Sequence, residues 1–144
     1  MTAIANVLLV DDEVPFVETM TKRLTKRDLK VTTAFSGAEA LEKLGKETQV
    51  EVVILDVKMP GIDGIETLRE IKRKYPLVEV VMLTGHATVE TAIEGMRLGA
   101  FDYLMKPCDM EVLVSKVGGA ASRKREQERK IVEARVKEIT MRRV

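Results

Sequence analysis

Short apolar runs recur along the chain and are separated by amphipathic segments. Four of these runs are mostly aliphatic and do not alternate with polar residues: residues 7–10, 52–55, 80–83 and 101–105. Continuous runs of this kind are typical of strands buried on both faces, as in a parallel sheet. A fifth run, residues 30–34, alternates between polar and apolar side chains and is predicted to be an edge strand.

The segments between these runs carry the spacing of helices. Apolar side chains recur every three or four positions in Phe16, Met20 and Leu24, in Ala38, Leu41 and Leu44, in Ile65, Leu68 and Ile71, and in Val89, Ile93 and Met96. Residues that commonly cap helix N-termini precede four predicted helices: Ser36, Asp63, Thr88 and Asp109. The chain therefore alternates strand and helix five times.

This alternation predicts the fold class. Strands that alternate with helices form a parallel sheet covered by helices on both faces. Right-handed crossovers then favour an α/β, doubly wound fold, and five strands match the flavodoxin-like order 2-1-3-4-5. In that order ligands bind beyond the carboxyl ends of the first and third strands.

The last helix leaves two alternatives open. It is predicted to begin near Asp109, and it either weakens at Gly118 and Gly119 or extends to the end of the chain. We divide the chain into a domain of residues 1–120 and a charged helical tail or linker of residues 121–144. Residues 123–144 contain nine Lys/Arg against four Asp/Glu, whereas residues 1–122 have a balance of −4. Such a basic stretch could bind nucleic acid or a membrane surface, but a solvated helix is favoured because most charged stretches of this kind are solvated. The tail also has no aromatic residue for base stacking, which argues against single-stranded nucleic acid.

Composition limits the class of protein. A length of 144 residues with 45% hydrophobic side chains suits one domain with one core. The single cysteine, Cys108, excludes an intrachain disulfide and is expected to be half-buried and unreactive. No run approaches the roughly 20 apolar residues of a membrane span, and the N-terminus lacks a signal-peptide pattern. We therefore expect a cytoplasmic location.

Polar residues follow four of the predicted strands at the point where each strand ends. Asp11 and Asp12 follow the first, Asp56 the third, Thr84 the fourth and Lys106 the fifth. Each alone could be a solvated residue or a helix cap, but together they predict one site at one edge of the sheet. Clustered carboxylates repel one another, and a hard divalent cation such as Mg²⁺ would relieve that repulsion. An aspartate in this setting can act as a nucleophile toward a phosphoryl group.

Four motifs at these strand ends occur in order in one known family. They are residues 7–12 (Val-Leu-Leu-Val-Asp-Asp), residues 55–64, residues 83–85 (Leu-Thr-Gly) and residues 101–107 (Phe-Asp-Tyr-Leu-Met-Lys-Pro). The chain resembles a two-component response-regulator receiver domain over about residues 5–120. Residues 84–92 further resemble the receivers of sigma-54-dependent, enhancer-binding regulators, in which an extended last helix often mediates dimerisation.

The resemblance implies a phosphoacceptor and a metal site. Asp56 would accept a phosphoryl group from a phosphohistidine on a sensor histidine kinase. Asp12 and Asp56 would bind Mg²⁺ together with the backbone carbonyl of Lys58, and Asp11 would help through water or hydrogen bonds. The domain would be a regulatory phosphoacceptor and not an enzyme for external substrates.

The resemblance also implies a switch. Lys106 would hold Asp56 beforehand and contact the phosphoryl group, Thr84 would move to bond a phosphoryl oxygen, and Tyr103 would turn inward. The face made by helix 4, strand 5 and helix 5 would then control binding of a downstream effector or a second copy of the chain.

Alternatives remain at the sequence level. An aspartyl-phosphate phosphohydrolase of the haloacid-dehalogenase type wants an Asp two residues after its nucleophile, where this chain has Lys58. A degenerate receiver that serves only as an interaction module would lack one of the acidic residues, the Thr or the Lys, and all are present. His86, the only histidine, could influence the attack of water on the phosphoryl group or be a plain exposed side chain.

Overall fold

Five strands and five helices alternate in the computed structural model, which describes residues 4–59, 61 and 63–142. The strands are β1 (Ala5–Val10), β2 (Leu29–Ala34), β3 (Val52–Leu55), β4 (Glu79–Thr84) and β5 (Asp102–Met105). The helices are α1 (Val14–Thr25), α2 (Gly37–Lys46), α3 (Gly64–Lys74), α4 (Val89–Arg97) and α5 (Met110–Met141). Two residues of the third-strand motif, Pro60 and Ile62, lie outside the described residues.

The strands form one parallel sheet in the order β2-β1-β3-β4-β5, which confirms the predicted flavodoxin-like arrangement. Val10, the last residue of β1, pairs with Ala34 of β2 and with Leu55 of β3. The carboxyl ends of these strands therefore meet at the same edge of the sheet. The chain reverses its winding direction at β1 and β3, which is where this fold class binds ligands.

Two apolar layers cover the sheet because successive strand residues point to opposite faces. Leu8 and Val10 of β1 join a cluster with α2 and α3. Val7 and Leu9 join a second cluster with α1 and α5. This double burial explains why the central strands are continuous apolar runs in the sequence.

The fifth strand corrects one prediction. Residues 101–105 were predicted to be buried on both faces, but β5 is only half-buried and the Met105 side chain is 63% exposed. The physical reason is its position, because β5 is an edge strand that pairs with β4 alone. The prediction that residues 30–34 form an edge strand is confirmed by β2.

Side-chain caps begin four of the helices, as their sequences predict. Ser36, Asp63 and Thr88 each accept a hydrogen bond from the backbone N–H three residues further on, and Asp109 accepts one from Glu111. These bonds satisfy N–H groups that would have no partner within the helix. The caps fix where each helix starts relative to the strand before it.

The last helix follows the longer of the two predicted alternatives. Helix α5 runs unbroken for 32 residues and passes through Gly118 and Gly119. Its first half packs on the sheet through buried side chains: Leu113, Val117, Ala120 and Ala121. Beyond Arg125 every described residue is exposed. Within the described part of the chain, none of the helices combines the length and apolarity needed to cross a membrane.

Two ion pairs attach the middle of α5 to residues at the amino ends of β3 and β4. The Arg125 guanidinium donates to both carboxylate oxygens of Glu51 at 2.6 and 2.8 Å, and Arg123 Nε lies 3.3 Å from Glu79 Oε2. Glu51 and Glu79 are both nearly buried, at 9% and 5% exposure. These contacts extend the docked part of the helix to residue 125. The division into residues 1–120 and 121–144 stays a prediction.

Candidate functional site

Three predicted site residues meet at the carboxyl ends of β1 and β3. Carboxylate oxygens of Asp11, Asp12 and Asp56 lie within 4.8 Å of one another. Asp11 and Asp56 are buried, at 1% and 2% exposure, whereas Asp12 is exposed. The cluster therefore has a buried floor and one side open to solvent.

Backbone hydrogen bonds from the sheet hold the buried carboxylates in place. The Asp56 N–H donates to the Val10 carbonyl at 3.1 Å, and the Asp11 N–H donates to the Ala34 carbonyl at 3.1 Å. Asp11 Oδ1 also accepts a hydrogen bond from the Glu13 N–H at 3.0 Å, which fixes the orientation of its carboxylate. The sheet thus continues one residue past β1 and β3 to place both side chains.

Gly64, the last residue of the motif of residues 55–64, lies directly against the backbone of Asp56. The Gly64 N–H donates to the Val57 carbonyl at 2.6 Å, which brings the start of α3 against the segment after Asp56. A Cβ at this position would lie 1.9 Å from the Asp56 carbonyl oxygen. Only glycine permits this close approach. Its signal in the sequence is the Gly that follows the cap residue Asp63.

Lys106 supplies the positive charge of the site. Its Nζ donates to Asp11 Oδ2 at 2.6 Å and lies 3.8 Å from Asp56 Oδ2 and 3.7 Å from Glu13 Oε1. The sequence analysis expected Lys106 to hold Asp56, whereas in the structure its hydrogen bond goes to Asp11. Burial opposes the charged form of Lys106, but the surrounding carboxylates outweigh burial and raise its pKa.

The electrostatics of Asp11 show that one ammonium does not neutralise the cluster. Burial raises the pKa of Asp11, and the neighbouring charge of Asp56 adds to this effect. The hydrogen bonds from Lys106 and from the Glu13 N–H act in the opposite direction and are outweighed. Two buried carboxylates and one lysine therefore leave an excess of negative charge that a cation would stabilise.

The donor set fits a hard divalent cation. Asp56 Oδ1 is buried and has no hydrogen-bond partner among the described residues, and an unpaired carboxylate oxygen is a natural metal ligand. Lys58 lines the opening beside the cluster, a cavity of about 470 Å³, together with Asp12, Glu13, Met59 and His86. Carboxylate oxygens beside a solvent-filled opening suit Mg²⁺, which keeps several water ligands.

Thr84 ends β4 beside this cluster. Its side chain is fully buried, and its Oγ1 accepts a hydrogen bond from the His86 N–H at 3.0 Å. Its carbonyl accepts from the Lys106 N–H at 2.8 Å, which ties β4 to the residue that follows β5. The imidazole of His86 is exposed on the wall of the opening, and a Cβ at Gly85 would meet nothing within 4 Å.

Tyr103 is attached to helix α4. Its hydroxyl shares a 2.7 Å hydrogen bond with Thr91 Oγ1, and its ring packs beside Gly95. Thr91 also exchanges hydrogen bonds with Thr88 in the capping box that begins α4. The sequence analysis did not single out Thr91, although its position three residues after the cap is a recognisable signal.

Cys108 lies outside this chemistry. Its side chain is half-buried, as predicted, and burial raises the pKa of its thiol. A protonated thiol is a poor nucleophile and a poor metal ligand.

Known proteins are similar to this chain in both sequence and fold. The family model described as "Response regulator receiver domain" matches residues 7–118. The DNA-binding transcriptional regulator NtrC of Escherichia coli (strain K12) is 37% identical over 122 residues. That match covers 85% of this chain and 26% of NtrC, so the chain spans about a quarter of the length of this relative. It confirms the narrower resemblance drawn from residues 84–92.

Solved structures extend this similarity to three dimensions. A response regulator receiver domain protein from Clostridium thermocellum has a TM-score of 0.81 and 36% identity, covering 85% of this chain and 98% of the other. A response regulator from Burkholderia pseudomallei, crystallised with a phosphorylated aspartic acid, a calcium ion and citrate, has a TM-score of 0.74 and 28% identity. That match covers 86% of this chain and 72% of the other.

Proposed function

The chain belongs to the response regulator receiver domain family, and we propose that it is a two-component switch activated by phosphorylation of Asp56. The observation that carries this proposal is the cluster of Asp11, Asp12 and Asp56 with Lys106 at the switch point of the sheet. The phosphorylated aspartic acid in the related Burkholderia pseudomallei structure supports it.

The proposed reaction moves one phosphoryl group. A carboxylate oxygen of Asp56 attacks the phosphorus of a phosphohistidine on a sensor histidine kinase. The new P–O bond forms as the P–N bond breaks, and the imidazole leaves. Asp56 is suited to this role because no described residue donates a hydrogen bond to its Oδ1. Burial at 2% exposure removes competing water from the nucleophile.

The neighbouring residues stabilise the charge that the phosphoryl group brings. Asp11, Asp12, Asp56 and the carbonyl of Lys58 would hold Mg²⁺, which neutralises phosphoryl oxygens when bound. Lys106 then exchanges its Asp11 partner for a phosphoryl oxygen. Thr84 donates its hydroxyl hydrogen to another oxygen. Because its Oγ1 accepts a hydrogen bond from the His86 N–H, movement of Thr84 toward the phosphoryl group would shift the loop after β4 with it.

The output follows from the attachment of Tyr103 to α4. Movement of Thr84 changes the space beside Tyr103, and the Thr91 hydrogen bond transmits this change to the start of α4. The surface above these residues is apolar, with Val89, Ile93, Met96 and Met105 all exposed. We propose that this face, made by α4, β5 and α5, controls binding of an effector or of a second copy in the cytoplasm.

The first experiment measures phosphorylation directly. Wild type, Asp56→Asn and the matched control Asp28→Asn are incubated with phosphoramidate or acetyl phosphate and Mg²⁺, and intact mass is recorded. We expect wild type and the Asp28 variant to gain one phosphoryl group, and the Asp56 variant to gain none. Metal removal should abolish the gain. Failure of wild type with both donors would favour a degenerate interaction module.

A second measurement tests whether the chain turns over external substrates. The chain is incubated with a small phosphomonoester and Mg²⁺, and free phosphate is followed over time. We expect no release beyond background, because Lys58 occupies the position where a phosphohydrolase needs its acid. Steady release that requires Asp56 would identify an enzyme instead.

The role of Thr84 is tested by separating phosphorylation from output. We expect Thr84→Ala to be phosphorylated while its phosphorylation-dependent self-association or partner binding weakens about tenfold, because a switch hydrogen bond is lost. Light scattering before and after phosphorylation, with and without residues 123–144, measures self-association. Equal responses of the mutant and wild type would contradict the switch role of Thr84.

A further inference from the structure

An aromatic ring lies against the site lysine. The Lys106 Nζ is 3.9 Å from the centroid of the Phe16 ring, in the first turns of α1. Phe16 is half-buried and its ring packs on the apolar cluster between the sheet, α1 and α5. From the sequence, Phe16 is distinguished only as an apolar position of the first helix.

The ring faces an ammonium that does not use all its donors within the described part of the chain. A lysine ammonium has three N–H donors, and among the described residues the only hydrogen bond of this ammonium goes to Asp11. Its side chain is 15% exposed, so water reaches little of it. Ring faces attract cations more strongly when the groups are shielded from water, and here the ammonium is largely buried and the ring half-buried.

We propose that Phe16 is a positioning residue for Lys106, holding its ammonium between Asp11 and Asp56 during phosphoryl transfer. This inference rests on the proposed function. To reach a phosphoryl oxygen on Asp56, the ammonium would exchange its Asp11 hydrogen bond for one on the side where Asp56 Oδ2 lies 3.8 Å away. A ring face has no directional acceptor, so its attraction for the ammonium persists during this exchange.

The alternative without the ring shows what Phe16 contributes. The lysine side chain has four rotatable bonds and a strongly hydrated head. Without the ring, its ammonium would rotate toward the solvent-exposed carboxylate of Glu13, which lies 3.7 Å away. The charge would then be absent from Asp56 when the phosphoryl group arrives.

Graded fluorination of the Phe16 ring tests the inference, because fluorine weakens the negative face of the ring while nearly preserving its shape. The rate of phosphorylation by phosphoramidate at saturating Mg²⁺ is measured by intact mass. We expect the rate to fall stepwise with each fluorine, by roughly three- to tenfold at trifluorination. The same substitutions at Phe101, which packs on Gly119, should leave the rate unchanged.

Conventional variants separate the ring from its volume. We expect Phe16→Leu to slow phosphorylation by a similar factor and Phe16→Tyr to restore the wild-type rate, since Tyr keeps the ring face. Mg²⁺ affinity, measured by calorimetry, should be the same in all three proteins. Unfolding curves confirm that each variant is folded at the assay temperature.

A spectroscopic signal in the metal-free protein is independent of catalysis. Protons over a ring face shift upfield, so the Lys106 ε-methylene protons should be upfield in wild type and normal in Phe16→Leu. If wild type is phosphorylated but the rate does not change with fluorination of Phe16, the positioning role of Phe16 is wrong and the proposed function stands. An upfield signal in a wild type that cannot be phosphorylated overturns the proposed function and leaves the contact in place.

Discussion

At the scale of single residues, the site depends on two close approaches, one between side chains and one between backbone segments. The Lys106 ammonium donates a 2.6 Å hydrogen bond to the Asp11 carboxylate, and Gly64 brings the start of α3 against the backbone of Asp56. The glycine contributes no side chain, yet its close approach holds the backbone of Asp56, the proposed phosphoacceptor. Its replacement should therefore affect both stability and chemistry.

We predict that Gly64→Ala destabilises the fold by about 2–3 kcal/mol, because its Cβ would overlap the Asp56 carbonyl, and slows phosphorylation roughly tenfold or more. Denaturant unfolding and intact mass measure the two effects. Gly118→Ala is the matched control, since a Cβ there meets nothing within 4 Å. In that control we expect a gain of about 1 kcal/mol from helix propensity and an unchanged rate. Wild-type behaviour of Gly64→Ala would show that the backbone relaxes freely.

At the scale of elements, the docking of α5 combines two kinds of contact. Apolar side chains bury its first half against the sheet, and beyond them Arg123 and Arg125 reach two glutamates that begin neighbouring strands. Burial opposes ionisation of Glu51, but the paired hydrogen bonds from Arg125 and the one from the Asn6 N–H outweigh it and lower the pKa of Glu51. The helix is therefore held partly by charge.

We predict that Arg125→Met lowers the free energy of unfolding by about 1 kcal/mol at pH 7, a modest value because Arg125 is half exposed. The lowered pKa of Glu51 means that its stabilising contribution is complete above its ordinary value of 4.5. That contribution is lost as pH falls through the lower folded-state pKa.

Unfolding curves from pH 7 down to pH 3 test this dependence. The difference between wild type and Arg125→Met should shrink across the acidic end of that range. Arg129→Met is the matched control, because the partners of Arg129 among the described residues, Glu126 and Glu133, lie on its own helix, and its effect on the free energy of unfolding should be the smaller of the two. A difference that does not change with pH would mean that Arg125 acts through packing.

At the scale of the whole molecule, α5 contacts the sheet at two points along its length. Near its start Lys116 pairs with Asp102 of β5, and halfway along the helix Arg125 pairs with Glu51 at the amino end of β3. Beyond Arg125 the helix extends away from the sheet and carries three exposed apolar side chains, Val132, Val136 and Ile139. We therefore expect the boundary between the docked part of α5 and its exposed extension to lie after residue 125.

We predict that deletion of residues 126–144 changes the free energy of unfolding by less than about 0.5 kcal/mol, because every described residue there is exposed. Deletion of residues 123–144 should cost about 1–2 kcal/mol, because Glu51 and Glu79 lose their arginine partners. Chemical denaturation of the two truncated chains measures the difference. Equal stability of the two would place the boundary before Arg123.

Local sequence patterns predict the order of elements and the residues of the acidic cluster, and the fold class that they indicate favours the observed strand order. Each of these follows from local periodicity, from caps such as Asp63, or from strand ends that a parallel sheet must bring to one edge. The exposure of β5 was decided only by tertiary structure, because edge position depends on which strands pair. The same holds for the bond of Lys106 to Asp11, the ring of Phe16 beneath it and the link from Thr91 to Tyr103. Those contacts join residues distant in sequence, and their partners are selected by three-dimensional packing and burial, which no local pattern records.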